Sequence, residues 1–184
     1  WLALARLSSP SDAKSVLNRA RRTIPTSHEI WIAAARLLEE SGEAAERIDK
    51  TMKAAVASLH KAGALLSRDQ WLREAEQVDK EGSPLTCAAI VRATMHLDID
   101  DEDRQRVWTE DADACLEHGR TATARAILSC ALDEFPDVLD IWQQAARLER
   151  MHGTHELFTA LLERGVEQCP QAESLWLLYA DDRR

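Results

Sequence analysis

The sequence is poor in glycine and proline, with only six Gly and five Pro among 184 residues. An all-β sandwich or barrel needs many tight turns, so this scarcity argues against that class. No uninterrupted apolar run approaches the length of about 18 residues that a membrane-spanning helix requires. The sequence also lacks a GxSxG motif and a glycine-rich phosphate loop. These absences argue against the corresponding hydrolase and nucleotide sites, and we predict a protein that is not an enzyme.

Cysteine is scarce as well, and no two cysteines form a CxxC pair, which excludes a zinc ribbon at the usual spacing. His152 and His155 form an HxxH, and Cys115 and His118 form a CxxH, but no third and fourth ligand that would converge on either pair is evident. We therefore predict no metal and no cofactor. The expected state of the cysteines is that of small buried thiols in a reducing compartment.

The charge is unevenly distributed along the chain. The net charge is -9, yet residues 1–63 carry 10 Lys/Arg against 7 Asp/Glu, while residues 64–184 carry 13 against 25. An acidic chain as a whole does not attract phosphate backbones, so a large nucleic-acid footprint is disfavoured. The exception is the basic stretch that contains Arg19, Arg21 and Arg22.

The chain is unusually rich in tryptophan, and the six tryptophans mark an internal repeat. They are spaced by 30, 40, 37, 34 and 34 residues, and each has an alanine four residues later. In four units a glycine follows eleven residues after the tryptophan, and in three units a proline precedes it by six. The residues that define the four internal units are Trp31, Ala35, Gly42, Trp71, Ala75, Gly82, Trp108, Ala112, Gly119, Trp142, Ala146 and Gly153.

Each offset has a physical reason. Residues four apart share one helix face, so the large ring and the small alanine can meet a second helix together. Glycine accepts the left-handed conformation of a helix C-cap, and proline cannot continue a helix. We therefore expect these tryptophans to pack in the core rather than to offer an exposed stacking surface for RNA.

The repeating unit is predicted to be helix, short turn, helix. The predicted pairs lie near 1–8/11–24, 27–41/43–62, 67–81/83–97, 101–118/120–134 and 137–152/154–168, and a lone helix begins near 171. Because one pair cannot bury its apolar stripe alone, pairs must stack. The predicted fold is all-α, a right-handed superhelical α-solenoid of about five and a half repeats over residues 1–184. Since neither end has a polar cap, we expect a fragment of a longer array that can self-associate through uncapped ends.

The period and motifs resemble two related repeat families. The fourth unit matches the tetratricopeptide pattern at Trp108, Ala112, Ala124, Ala131 and Pro136. The chain also resembles the HAT (half-a-tetratricopeptide) family, whose first helix places an acidic residue seven or eight positions after the tryptophan. The pairs that fit this position are Trp31 with Glu39, Trp71 with Asp79 and Trp142 with Glu149.

Three longer segments are similar to the pre-mRNA-processing factor six family. They are RDQWLREAEQVDKEGSPLTCAAIVRA from Arg68, DDEDRQRVWTEDADACLEH from Asp100 and HGTHELFTALLERGVEQCPQAESLWL from His152. The resemblance implies a nuclear, non-catalytic scaffold of the spliceosomal tri-snRNP that holds several proteins and bridges the component particles. The alternatives are a direct RNA-binding array that uses the basic first third and a peptide-groove receptor of tetratricopeptide type.

One acidic stretch is not required by the repeat and is therefore a candidate partner surface. It lies between the third and fourth units and consists of Asp98, Asp100, Asp101, Glu102 and Asp103. Acidic side chains near a helix N-terminus are favoured by the helix dipole, which is the structural explanation for them. The functional hypothesis is that this stretch attracts a Lys/Arg-rich segment of another spliceosomal protein.

Overall fold

The computed structural model describes residues 1–183, and this part of the chain contains eleven α-helices and no β-strand. The all-α prediction is therefore confirmed. Every predicted helix is present, with ends within three residues of those expected from the sequence. The helices are α1 (Leu2–Leu7), α2 (Pro10–Thr23), α3 (His28–Glu40), α4 (Ala45–Lys61), α5 (Arg68–Lys80), α6 (Pro84–Thr94), α7 (Asp101–Glu117), α8 (Thr121–Glu134), α9 (Leu139–His152), α10 (His155–Gln168) and α11 (Glu173–Asp182).

The helices form two compact units, here called unit 1 (Trp1–Ile99) and unit 2 (Asp100–Arg184). We call the odd-numbered helices, which carry the repeat tryptophans or directly follow Trp1, first helices, and the even-numbered ones second helices. In unit 1, α2 packs on α1 and α3, and α6 packs on α3, α4 and α5. In unit 2, each helix from α7 to α10 packs on the helix that follows it. This packing of neighbouring helix pairs is that of an α-solenoid. The continuity of one array over 1–184 stays a prediction.

Three of the four repeat glycines end their first helices as expected. Gly42, Gly82 and Gly119 have φ angles of 72°, 81° and 71°, a region that side-chain-bearing residues rarely adopt. Gly153 is different, because it caps α9 with φ at -90° and an extended backbone. A Cβ atom at Gly153 would approach the backbone oxygen of Glu149 to 2.7 Å. The expectation of a left-handed cap is therefore wrong at this position. Glycine fits here because any side chain would collide with Glu149.

Helix starts follow ordinary capping rules at three places. The hydroxyl of Ser9 accepts a hydrogen bond from the Asp12 amide, and that of Thr154 accepts one from the Leu157 amide. Ser67 and Gln70 form a full capping box at the start of α5. These local bonds fix where α2, α10 and α5 begin.

Helix α6 begins without a local cap and is capped by the neighbouring repeat. Its N-cap residue, Ser83, makes no side-chain capping bond. The Glu39 carboxylate on α3 instead accepts hydrogen bonds from the amides of Leu85 and Thr86, at 2.9 and 2.8 Å, and from the Thr86 hydroxyl at 2.7 Å. A carboxylate at this end also interacts favourably with the helix dipole. The acidic residue eight positions after Trp31 thus joins two successive repeats.

The extra residues of the long repeats lengthen helices as well as loops. Helices α4 and α7 have 17 residues each and are the longest in the described chain. Within residues 1–183 no helix is both long enough and apolar enough to cross a membrane.

The Glu39 cap yields a testable expectation. Glu39→Ala removes three hydrogen bonds to the α6 N-terminus and should lower the free energy of unfolding by about 1–2 kcal/mol, since an N-cap and its charge contribute that much. Urea unfolding followed by far-ultraviolet circular dichroism measures the change.

The adjacent residue provides a matched control for this substitution. Glu40 is exposed and carries the same charge on the same helix, so Glu40→Ala should change the free energy of unfolding by less than about 0.5 kcal/mol. Equal effects of the two substitutions would show that charge, and not the cap, is responsible.

Candidate interaction surfaces

The repeat tryptophans lie in the core in three of the four internal repeats. Trp71, Trp108 and Trp142 are at most 2% exposed. Trp31 is only partly buried, and the guanidinium of Arg21 lies 4.5 Å from the centre of its ring. The alanines four residues after the four internal tryptophans are all buried, namely Ala35, Ala75, Ala112 and Ala146. Stacking of RNA bases on the three buried rings is thus sterically blocked in this fold.

In two of the three repeats that have a proline six residues before the tryptophan, this proline has a role that sequence reasoning missed. The indole N–H of Trp142 donates a hydrogen bond of 2.8 Å to the carbonyl oxygen of Pro136, and that of Trp176 donates one of 2.9 Å to Pro170. The proline carbonyl at the end of one second helix thereby fixes the ring of the next first helix. The spacing of six residues between proline and tryptophan was the sequence signal from which this hydrogen bond could have been inferred.

The tryptophans near the two ends of the chain are more exposed than those inside. Trp1 is 41% exposed and Trp176 is 45% exposed, and large apolar neighbours such as Leu7 and Leu177 are also accessible. Self-association through these faces stays a prediction.

The acidic stretch does not act as one free patch. Asp98, in unit 1, has a positive φ of 56° and accepts a bond of 3.3 Å from the Arg68 amide at the start of α5. In unit 2, Asp100 is the N-cap residue of α7, and Asp101 and Asp103 form ion pairs with Arg104 and Arg106.

The remaining acidic side chain, Glu102, lies in the first turn of α7. All five acidic residues of the stretch are exposed. Among the residues described, neither Asp100 nor Glu102 forms an ion pair. The docking role of the stretch stays a prediction.

Each unit has an open groove along its first helices. The unit 1 groove has a volume of about 640 Å³ and runs along α1, α3 and α5. Its floor includes Ile32, Ala33 and Val78. The unit 2 groove has a volume of about 750 Å³ and lies between α9, α10 and α11. Both volumes fall in the range of ligand-binding clefts.

Part of the charge of the unit 1 groove is paired locally. Arg36 forms an ion pair with Glu81, and His28 lies 3.2 Å from Glu74 through its Nε2 atom. A hydrogen bond from Gln77 lowers the pKa of Glu81, burial opposes this in part, and the charge of Arg36 lowers it further. Glu81 is therefore ionised at neutral pH and balances Arg36.

Polar contacts inside unit 2 connect helices α7, α8 and α9. Gln144 on α9 donates hydrogen bonds to the Thr109 carbonyl and the Asp113 carboxylate of α7, at 3.0 and 2.7 Å. Arg125 on α8 forms two bonds with the buried Glu149 carboxylate, at 2.5 and 2.9 Å. Because Arg125 pairs with it, the charged Glu149 carboxylate can be buried without an uncompensated desolvation penalty.

The candidate metal motifs are not completed by further ligands. In the part of the chain that the structure describes, no group of three or more His, Cys, Asp or Glu side chains could hold a metal ion. His155 instead lies 3.1 Å from Asp182 through its Nδ1 atom. Burial and the charge of Asp137 raise the pKa of the Cys169 thiol, which keeps it protonated and unreactive.

Comparison with known proteins connects this architecture to pre-mRNA splicing. The tetratricopeptide repeat family model matches residues 139–182, which include α9, α10 and α11. The chain is 45% identical over 123 residues to Pre-mRNA-splicing factor prp1 of Schizosaccharomyces pombe, a match that covers 67% of this chain and 14% of that protein.

Two further relatives carry similar names. Pre-mRNA-processing factor 6 of Homo sapiens is 45% identical over 101 residues, which is 55% of this chain and 11% of that protein. Pre-mRNA-splicing factor 6 of Saccharomyces cerevisiae is 37% identical over 97 residues, 50% of this chain and 11% of that protein. The chain thus spans about one seventh or less of the length of these relatives. The resemblance inferred from the sequence segments is confirmed.

The two buried tryptophans with different polar environments give a testable contrast. Trp142→Phe deletes the bond to Pro136, whereas the indole N–H of Trp71 is buried without a hydrogen-bond partner among residues 1–183. Trp142→Phe should therefore cost about 1 kcal/mol more of the free energy of unfolding than Trp71→Phe. Urea unfolding of the two variants measures the difference. An equal or larger cost for Trp71→Phe would contradict the role of the proline carbonyl.

The acidic stretch can be tested with a basic probe. The triple variant Asp100→Asn, Asp101→Asn and Asp103→Asn should stay helical and bind a nona-lysine peptide more weakly than the wild type at low salt, because attraction between exposed charges is screened by salt. Fluorescence anisotropy measures the affinity. A matched variant, Glu117→Gln, Glu167→Gln and Glu173→Gln, removes three exposed carboxylates elsewhere in unit 2. If both triple variants weaken binding equally, the stretch has no special role.

Proposed function

Because this chain is homologous to the pre-mRNA-processing factor six family, we propose that it is a non-catalytic scaffold segment that holds protein partners during pre-mRNA splicing. The observation that carries the proposal is the 45% identity to a splicing factor over 67% of the chain. The helix-pair architecture supports it, since stacked repeats offer long surfaces on which several partners can bind side by side.

The finer form of the proposal places the segment in the spliceosomal tri-snRNP, where it would bridge component particles, and in the nucleus. The names of the relatives support a splicing role for the longer proteins of which this chain matches a part. The first-helix grooves of the two units and the acidic stretch are the surfaces that we propose for protein contacts. No step of this proposal requires a cofactor.

Direct RNA binding is a second candidate function, favoured by one observation. Helix α2 carries Lys14, Arg19, Arg21 and Arg22 against the single acidic residue Asp12. Arg21 and Arg19 lie 4.5 and 6.0 Å from the rings of Trp31 and Trp1, the two less buried tryptophans of unit 1. A peptide-groove receptor of tetratricopeptide type is the third candidate, and the two grooves support it.

A co-purification experiment separates the protein scaffold from the RNA-binding array. The tagged chain is incubated with nuclear extract of its source organism, and the bound proteins are identified by mass spectrometry before and after RNase treatment. We expect splicing proteins to be enriched and to stay bound after RNase, because protein contacts do not depend on RNA.

The control for this experiment is a variant with a damaged core. Trp142→Ala removes a buried ring at a cost of about 3–5 kcal/mol and should lose the partners that bind unit 2. Loss of all splicing proteins on RNase treatment would favour the RNA-binding array. Absence of splicing proteins from the wild-type sample would contradict a splicing role for this segment.

A further inference from the structure

The first and second helices of unit 1 carry opposite net charges. The unit as a whole is nearly neutral, with 14 Lys/Arg against 13 Asp/Glu in residues 1–99. Its second helices α2, α4 and α6 carry nine Lys/Arg against three Asp/Glu, whereas its first helices α1, α3 and α5 carry five against seven. In unit 2 the second helices α8 and α10 carry two Lys/Arg against five Asp/Glu. The basic second helices are therefore a property of unit 1 and not a requirement of the repeat.

Helix α4 presents three lysines on one face. All five lysines of the chain lie in unit 1, and α4 carries Lys50, Lys53 and Lys61, each of which is exposed. Because an α-helix turns by 100° per residue, these three positions fall within an arc of about 80°. Ala54 and Ala57, which are also exposed, lie beside them. We call these five residues the α4 lysine face.

The carboxylates near this face are paired with arginines and not with the lysines. The Asp49 carboxylate on α4 accepts hydrogen bonds of 2.7 and 3.1 Å from the guanidinium of Arg92 on α6. Glu43 forms an ion pair of 2.7 Å with Arg47. Within residues 1–183 none of the three lysines forms an ion pair. Only one further carboxylate, that of Glu46, belongs to α4, so the α4 lysine face keeps a net positive charge.

The exposure of this face is determined by helices that lie on both sides of α4 within unit 1. Helix α4 packs on α3 and on α6. The side chains that make this packing are fully buried and lie on the opposite side of the helix, at Ile48, Met52, Ala55 and Leu59. The α4 lysine face therefore points away from the core of the unit.

From this arrangement we infer that the α4 lysine face binds the phosphate backbone of RNA. A lysine ammonium acts as a point charge on a flexible stem, and backbone phosphates can be bound by such charges without base-specific geometry. The small side chains of Ala54 and Ala57 allow a single strand to lie close to the helix between the lysines.

A protein partner matches this face less well. Protein interfaces are depleted of lysine, and their binding energy comes mainly from large aromatic side chains and arginine. The α4 lysine face contains only lysine and alanine. The proposed splicing role is the reason for choosing RNA among phosphate polymers, and the RNA contact is an addition to the protein scaffold.

Salt-dependent binding of a labelled RNA tests the inference. Fluorescence anisotropy measures the affinity of the chain for a 12-nucleotide oligouridine between about 50 and about 200 mM salt. Lys50→Gln/Lys53→Gln/Lys61→Gln should weaken binding about tenfold or more at the lowest salt, because three phosphate contacts are lost. The slope of log affinity against log salt should become shallower by about two, since each contact on a single strand contributes about 0.7.

A matched variant removes the same charge from the first helices of unit 1. Arg6, Arg73 and Lys80 are exposed on α1 and α5, so Arg6→Gln/Arg73→Gln/Lys80→Gln has the same net charge as the lysine variant. This variant should bind oligouridine within about twofold of the wild type, because salt screens charges that do not contact the strand. Circular dichroism verifies that both variants are folded.

Three outcomes would overturn the inference. They are no binding of oligouridine by the wild type at the lowest salt, an equal loss of affinity in both variants, and lysine-dependent binding of a 12-residue polyglutamate peptide that is tighter than that of the RNA. The last outcome would identify an acidic protein segment as the occupant. If one of them occurs while splicing proteins still co-purify after RNase treatment, the scaffold function stands and only the RNA contact fails.

Discussion

The structure depends on one constraint, which is that a single helix pair cannot bury its own apolar stripe. Helix α6 shows this most clearly, because Cys87, Ile90 and Val91 are all buried and the helix contacts α3, α4 and α5. Its N-terminus also takes its cap from Glu39 of the preceding repeat. Both the apolar core and the hydrogen bonds of one pair are therefore completed by its neighbours, and stability arises between repeats as much as within them.

The helices could be predicted from the sequence because their signals are local. These signals are the tryptophan with an alanine four residues later, the capping glycine and the proline that ends a helix, and each acts within one repeat. They predicted the helix ends to within three residues of their positions in the structure. The contacts of Glu39 could not be predicted, since its partners lie 46 and 47 residues away. The same holds for Gly153, whose role depends on the side chain of Glu149, and for Asp98, whose carboxylate meets the Arg68 amide. The sequence indicated an acidic surface but not which of its charges are already paired.

The division between core and surface determines which functions this chain can support. The buried rings hold the repeats together, so the surfaces that we propose for recognition are the outward faces of the first helices, the α2 basic face and the acidic start of α7. In the unit 1 groove the charge of Arg36 is paired with Glu81 of the next first helix, so a contact between neighbouring repeats also sets the charge of this surface.

The claim that neighbouring repeats, and not single pairs, are the unit of folding is tested most directly on the isolated pair of α3 and α4, residues 28–61. This peptide contains Ala35, Met52 and Leu59, which are fully buried in unit 1. Circular dichroism of the peptide is compared with that of residues 1–99 during heating. We expect a coil-like spectrum without a cooperative transition for residues 28–61 and a cooperative loss of helix for residues 1–99. A helical, cooperatively melting peptide 28–61 would contradict the claim.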